Sequence, residues 1–289
     1  MIAMEVSLQR QFYAEELEAI CAFRTSGLTA AFASVPRERF LPPGPWDVLS
    51  VSDYMPGVVT PPRKTPDADP RRVYHNIGIA IDPARALYNG QPATLATWID
   101  ALGLMPGARV LHVGTGLGYY TAILARLVGP TGRVVGIEVD AALAVAARTN
   151  LAAMPWVDAH QGDGTDLADG MFDAILVNAG VTHPRSEWLD ALSVGGRLVL
   201  PLTVQMAPTL GKGFMMLVTR ESDVAYAVKP FGVVAIYSAI GLRDEMLNAA
   251  LGEAVRKQPW PPANRLRRDA HERAEACWLH GDGFCFCVA

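Results

Sequence analysis

Three glycines at alternate positions, Gly114, Gly116 and Gly118, follow the apolar run Arg109-Val-Leu-His-Val113 and open a helical pattern that continues to Val128. Without side chains the backbone can turn tightly there, and a ligand can approach it closely at the start of a helix. Thr115 lies inside the turn and Tyr119 follows it. The dinucleotide fingerprint G-x-G-x-x-G needs its third glycine where this chain has Tyr119, which disfavours a nicotinamide oxidoreductase. Two acids in the right order favour an adenosine cofactor instead. Glu138, followed by Val139, ends the next strand pattern 20 residues beyond Gly118, where a carboxylate can accept from both hydroxyls of a ribose. Gly162-Asp163-Gly164 comes at the end of the third strand, where Asp163 can accept from an exocyclic amine and its small neighbours admit a ring. Each feature alone also reads as a structural turn or a solvated acid; together they point to the cofactor.

Histidines and cysteines supply the other candidate chemistry. His183, in Asn178-Ala-Gly-Val-Thr-His183, follows a strand pattern at Ala174–Asn178 and so falls at the C-terminal edge where open α/β sheets bind ligands. It is the candidate catalytic residue, a base for a hydroxyl acceptor, with capping of the next helix as the other role. Asn178 is a further cofactor candidate. His112 can reach the amino end of a cofactor or pack in the core, and His75 is a weaker candidate base. Cys277, His280, Cys285 and Cys287 form C-x2-H-x4-C-x-C, a set of zinc-capable ligands. The same stretch reads as a β-hairpin with Cys285 and Cys287 on one face. The hairpin is the preferred reading, and no metal is assigned.

The elements that must position these residues alternate. Residues 8–40 read as helices, and 41–72, with eight prolines, as a long loop or insertion. From Pro92 the chain reads helix (92–102), strand (109–113), helix to 128, strand (133–139), helix (141–153), strand (174–178), a helical segment at 188–192 and a strand at 197–200. Strands alternating with helices imply a doubly wound, mostly parallel α/β sheet. Strands at 214–219, 224–228 and 233–238 read as an antiparallel addition, followed by a helix at 243–257, and the mixed-charge run 265–273 reads as a solvated helix face. The expected organisation is an N-terminal helical segment at 1–90 with its proline-rich insertion, a Rossmann-like cofactor domain at 91–242 and a C-terminal extension at 243–289.

Composition narrows the class. With 289 residues, 51% hydrophobic and 19% charged, the chain is neither disordered nor a coiled coil. A formal charge of −4 argues against nucleic acid as a partner. The longest apolar stretch, Phe231–Leu242, is shorter than the roughly 20 residues that span a bilayer. Residues 1–10 lack a basic start followed by an apolar run, so the expectation is a cytoplasmic enzyme without a membrane partner.

The glycine turn followed by the two acids resembles the class I methyltransferases that use S-adenosyl-L-methionine. Within that class, Val110-Leu-His-Val-Gly-Thr-Gly-Leu-Gly-Tyr119 is similar to the V-L-E-I-G-T-G-S-G-Y of the protein-L-isoaspartate O-methyltransferases. Val128–Val135, His160-Gln-Gly-Asp-Gly164 and Gly195–Pro201 are close to that family's pattern too. The most diagnostic stretch is Ala33-Ser-Val-Pro-Arg-Glu-Arg-Phe-Leu-Pro42, which resembles the V-P-R-x-x-F-V-P segment of the family's N-terminal helices. The chain departs from the pattern at His112, where the family usually has Glu, and at Leu117, where it has Ser. Tyr88-Asn89-Gly90-Gln91-Pro92 stands where the family has T-I-S-x-P, so Gly90 matches a serine that lies at the substrate carboxyl.

The resemblance implies that Gly114, Gly116 and Gly118 pass the methionine end of the cofactor, that Glu138 holds the ribose and that Asp163 with Gly164 holds the adenine. It implies methyl transfer to a carboxylate in a protein, a peptide or a smaller molecule, with Tyr88–Gln91 on the acceptor side. Two alternatives stay open: a small-molecule hydroxyl or amine acceptor using His183, and a non-catalytic cofactor-binding module.

Overall fold

A computed structural model describes residues 2–50, 63–167 and 170–289. The chain is α/β and forms two compact units, one made of residues 1–108 and 115–161, the other of 109–114 and 162–289.

The first unit holds helices α1 (Ile2–Cys21), α2 (Leu28–Ser34), α3 (Pro92–Leu102), α4 (Tyr119–Val128) and α5 (Ala141–Leu151). Local chemistry sets their ends. Pro92 occupies the first turn of α3, where its missing N–H costs nothing, and Gly103 closes the helix in the left-handed region at φ +58°. Asp140 caps α5, its carboxylate accepting from the N–H groups of Ala142 and Leu143. Buried Asp100 of α3 accepts from the N–H groups of Arg24 and Thr25, which fixes the connection between α1 and α2. Strands β6 (Arg133–Glu138) and β7 (Val157–Gln161) pair in parallel. The proline-rich region is not merely a loop. Its described part contains β1 (Asp47–Leu49) and β2 (Arg63–Lys64), which join β3 (Gly78–Asp82) and β4 (Leu87–Tyr88) in a small sheet ordered β2-β1-β3-β4. Trp46 and Thr65 tie its two ends by exchanged bonds, Trp46 N–H to Thr65 Oγ1 and Thr65 N–H to Trp46 O. Residues 51–62 of that predicted loop lie outside the described residues.

The second unit is built on β5 (Arg109–Val113), β8 (Phe172–Val177) and β9 (Leu192–Ala207), parallel in the order β5-β8-β9. Beyond β9 the neighbours run antiparallel: β10 (Leu210–Arg220), β11 (Tyr226–Tyr237), β12 (Arg265–Arg267), β14 (Phe284–Cys287) and β13 (Cys277–Gly281). Helices α6 (Ser186–Asp190) and α7 (Glu245–Lys257) complete the unit. Two expectations are corrected here. The strands expected at 224–228 and 233–238 are one strand, because a bulge lets Met215 and Met216 face Gly232 and Pro230 and leaves Phe231 as the extra residue. The run 265–273 is no helix; it begins with β12, paired to β11 and β14. Among the described residues no helix is long and apolar enough to cross a membrane.

Candidate active site

In the first unit the glycine turn meets Glu138. Gly118 stands at φ +94° as the cap of α4, and a Cβ there would lie 2.9 Å from Leu151 Cδ1, so both backbone and space call for glycine. The turn is then fastened to the end of β6: Gly116 N–H donates to Glu138 Oε2 at 2.8 Å, and Asp140 N–H to Oε1 at 3.1 Å. Burial raises the Glu138 carboxyl above its ordinary value against the opposing effect of those backbone donors. Thr115 is buried and bonded through its N–H to Ile137 O, and Val139 is half-buried beside the acid. Tyr119 lies in the aromatic core, its hydroxyl 3.4 Å from that of Tyr13 and its ring against Phe32, Phe40 and Tyr120.

The segment 88–91, expected on the acceptor side, belongs to the same unit. Asn89 exchanges bonds with Ile79, donating its N–H to Ile79 O and accepting Ile79 N–H at Oδ1, while Gln91 Nε2 donates to Asn76 O. Gly90 is left-handed at φ +81°, and Tyr120 donates its hydroxyl to Gly90 O. Sequence reasoning did not show what holds this segment in place. Arg37 is wholly buried and donates to the carbonyls of Val73, His75 and Ile77 and to Asn89 Oδ1. The only signal was its place in the Val-Pro-Arg stretch.

In the second unit Asn178 Nδ2 donates to Gly114 O at 3.3 Å, and a Cβ at Gly114 would lie 3.1 Å from Asn178 O. Gly164 packs so closely that a Cβ would lie 2.6 Å from Val113, and its carbonyl accepts Trp188 Nε1–H. Asp163, after half-buried Gly162, is exposed; Thr165 donates its hydroxyl and N–H to Oδ1 at 2.7 and 2.9 Å, which lowers the carboxyl pKa. His112 is fully buried in β5, and burial alone pushes it down to about 3, so the ring is neutral.

His183 is half-buried, with a partner at each ring nitrogen and an aromatic ring on its face. Arg185 Nη1 donates to Nε2 at 3.4 Å, which leaves Nδ1–H to donate to Thr182 Oγ1 at 2.9 Å. Phe284 stacks on the ring with centroids 5.7 Å apart. Burial first, then the Arg185 charge, keeps its pKa below the usual histidine range. The loop that carries it is anchored by the C-terminal extension, in which Arg243 donates to Gly180 O and Asp244 N–H to Thr182 Oγ1. No spacing in the sequence signalled Arg243.

Residues 62–233 match the family model of protein-L-isoaspartate(D-aspartate) O-methyltransferase. The chain belongs to that family. A protein-L-isoaspartate O-methyltransferase of Methylorubrum populi is 40% identical over 150 residues, covering 50% of this chain and 66% of that protein. The chain thus spans just under two thirds of the length of that curated relative. The fold agrees with a solved protein-L-isoaspartate O-methyltransferase at TM-score 0.63 and 23% identity, covering 89% of this chain and 73% of the other. It agrees also with a Plasmodium falciparum structure described as a beta-aspartate methyltransferase in complex with S-adenosyl-L-homocysteine, at TM-score 0.56 and 17% identity, covering 80% of this chain and 98% of that one.

Proposed function

We propose that this chain transfers a methyl group from S-adenosyl-L-methionine to a carboxylate oxygen of a protein or peptide. The observation that carries the cofactor half of the reading is the bond from Gly116 N–H to Glu138, which ties a glycine-rich turn to a buried carboxylate. Gly114, Gly116 and Gly118 would pass the methionine end, Glu138 would hold the ribose, and Asp163 with Gly164 the adenine, with Thr115, Val139, Gly162 and Asn178 as further cofactor candidates beside them. The cofactor, when bound, supplies a methyl carbon activated by its sulfonium.

The chain's own contribution is then positioning. A carboxylate acceptor, with an unperturbed pKa of about 4, is already ionised at neutral pH and needs no base. His183 fits such a reaction in a supporting role. Arg185 occupies its Nε2, and burial, followed by that neighbouring charge, works against protonation, so the ring helps shape the loop rather than accept a proton. This favours a carboxylate over a hydroxyl acceptor. Holding the oxygen in line with the methyl carbon is worth on the order of 7 kcal/mol or more when the geometry is fixed in advance.

The test has two arms. Calorimetry with S-adenosyl-L-methionine is expected to show binding that weakens roughly tenfold or more in Glu138→Gln, the loss of one charge-assisted hydrogen bond. Release of S-adenosyl-L-homocysteine is then followed with an isoaspartyl peptide beside its aspartyl twin. Turnover of either supports a carboxylate acceptor; cofactor binding with no turnover of either peptide overturns that assignment.

A further inference from the structure

We propose that His271, Cys277, His280 and Cys285 form a structural zinc site in the C-terminal extension, closed by four protein ligands. One ligand atom from each of the four residues lies within 4.8 Å of all the others. Zinc bonds of about 2.0–2.3 Å in a tetrahedron place neighbouring ligand atoms roughly 3.3–3.8 Å apart. Cys277 Sγ and His271 Nε2 already stand at 3.7 Å. Two thiolates and two neutral imidazoles are a donor set that suits zinc, and binding would expel the two thiol protons to leave a neutral site.

The hairpin is built in a way that brings these residues together. Cys277 and His280 are three apart on β13 and in a regular strand would face opposite sides of the sheet. The register shows otherwise. Cys277 pairs with Cys287, Leu279 with Phe286 and His280 with Cys285, so the irregularity between Cys277 and Leu279 absorbs one residue and puts Cys277, His280 and Cys285 on one face. The fourth ligand is one the sequence spacing did not offer. His271 comes from the segment before β13, and its ring meets that of His280 at 4.8 Å and 78°.

Two details match what metal-bound histidines need. His271 Nδ1 lies 2.8 Å from Asp269 O; a carbonyl can only accept, so Nδ1 carries the proton and Nε2 turns its lone pair toward Cys277. A backbone carbonyl behind the far ring nitrogen is the usual support of a zinc-bound imidazole. His280 Nδ1 is buried without a hydrogen-bond partner, a cost that a metal bond at that nitrogen would remove. Cys277 is 7% exposed and Cys285 fully buried, so the thiols are shielded. Cys287 shares their face but is surplus to a tetrahedral set, and it serves as the control. A metal here would fix the hairpin whose Phe284 stacks on His183.

The experiment uses the full chain, purified without a metal-binding tag. Elemental analysis is expected to find about one zinc per chain. After chelation, titration with cobalt should give the thiolate charge-transfer absorption and the intense visible bands of a tetrahedral site. Cys277→Ser and His271→Ala are expected to hold less than about a tenth of the parent's zinc, whereas Cys287→Ser keeps it. The proposal fails if the wild-type chain binds neither ion with thiolate ligation, if Cys287→Ser loses metal as Cys277→Ser does, or if thiol titration finds Cys277 and Cys285 joined as a disulfide. The cobalt titration of the wild-type chain decides the matter even where a variant does not fold.

Discussion

At Gly90 the backbone stands at φ +81°, and a Cβ would lie 2.7 Å from Leu95 Cδ2. The resemblance sets this residue against a family serine expected on the acceptor side, yet a serine here would be strained twice, by its backbone and by Leu95. Gly90→Ser is therefore expected to cost about 1–2 kcal/mol, seen as a thermal midpoint lower by roughly 2–8 °C, without raising turnover of an isoaspartyl peptide. Adding Leu95→Ala removes the clash but not the φ penalty, so a gain of turnover in Gly90→Ser alone would contradict this account. His183 gives a second prediction. Because Arg185 and Thr182 occupy its two ring nitrogens, His183→Gln should lower kcat by less than about tenfold, against the roughly 100-fold or more that loss of a general base brings. A larger loss would restore His183 as the base and favour a hydroxyl acceptor.

Elements set these residues in place, and their ends are where local chemistry can be tested. The cap of α5 is the clearest case: Asp140 accepts two helix N–H groups and also pairs with Arg85. Asp140→Ala is expected to cost about 1 kcal/mol at neutral pH, a midpoint shift of roughly 2–4 °C. The helix N–H of Leu143, followed by Arg85, lowers the Asp140 pKa in the folded chain. Its contribution is thus complete above the unfolded value of about 4 and is lost as pH falls through the folded value, so thermal melts of parent and variant should converge in acid. Strand and helix boundaries were most legible where glycine or proline falls at an end. Pro92 and Gly103 bracket α3, and β5 runs over the five residues that its apolar pattern marks. Legibility failed where the same residues sit inside an element. Pro230 and Gly232 look like a break between two strands, but the bulge in β11 absorbs them. In β1 and β2 the short strands are held by Trp46 and Thr65 across 19 positions, a tertiary link no local pattern carries. The glycine turn and Glu138 were readable because the family spaces them along one strand-turn-helix-strand run. The supports of residues 73–77 and Asn89 were not, since Arg37 reaches them from up to 52 residues away.

At the scale of the whole molecule, each compact unit contains an arginine whose guanidinium binds main-chain carbonyls. In the second unit Arg243 donates to Gly180 O, Thr203 O and Oγ1 and Asn248 Oδ1, joining the extension to the loop that carries His183. In the first unit Arg37 does the same for residues 73–77 and Asn89, with its guanidinium also 5.7 Å from the Tyr119 ring centroid. The chain's net charge of −4 is small, so long-range attraction does little to hold either arrangement. Local geometry must do it. Removing the Arg37 side chain takes the guanidinium donors from the buried Val73 carbonyl and the half-buried Ile77 carbonyl, each a cost of about 1–3 kcal/mol, and opens a cavity beside Tyr13 and Tyr119. Arg37→Ala is expected to lower stability by about 3 kcal/mol or more, a fall in thermal midpoint of roughly 6–12 °C. Arg37→Lys separates charge from geometry: it keeps the charge, but one ammonium cannot reach acceptors at Val73, His75, Ile77 and Asn89 together, so most of the loss should persist. Hydrogen exchange should quicken in residues 73–79 and at Asn89 in both variants. If Arg37→Lys were as stable as the parent, the charge over the tyrosine rings rather than the fan of hydrogen bonds would be what holds residues 73–77 and Asn89.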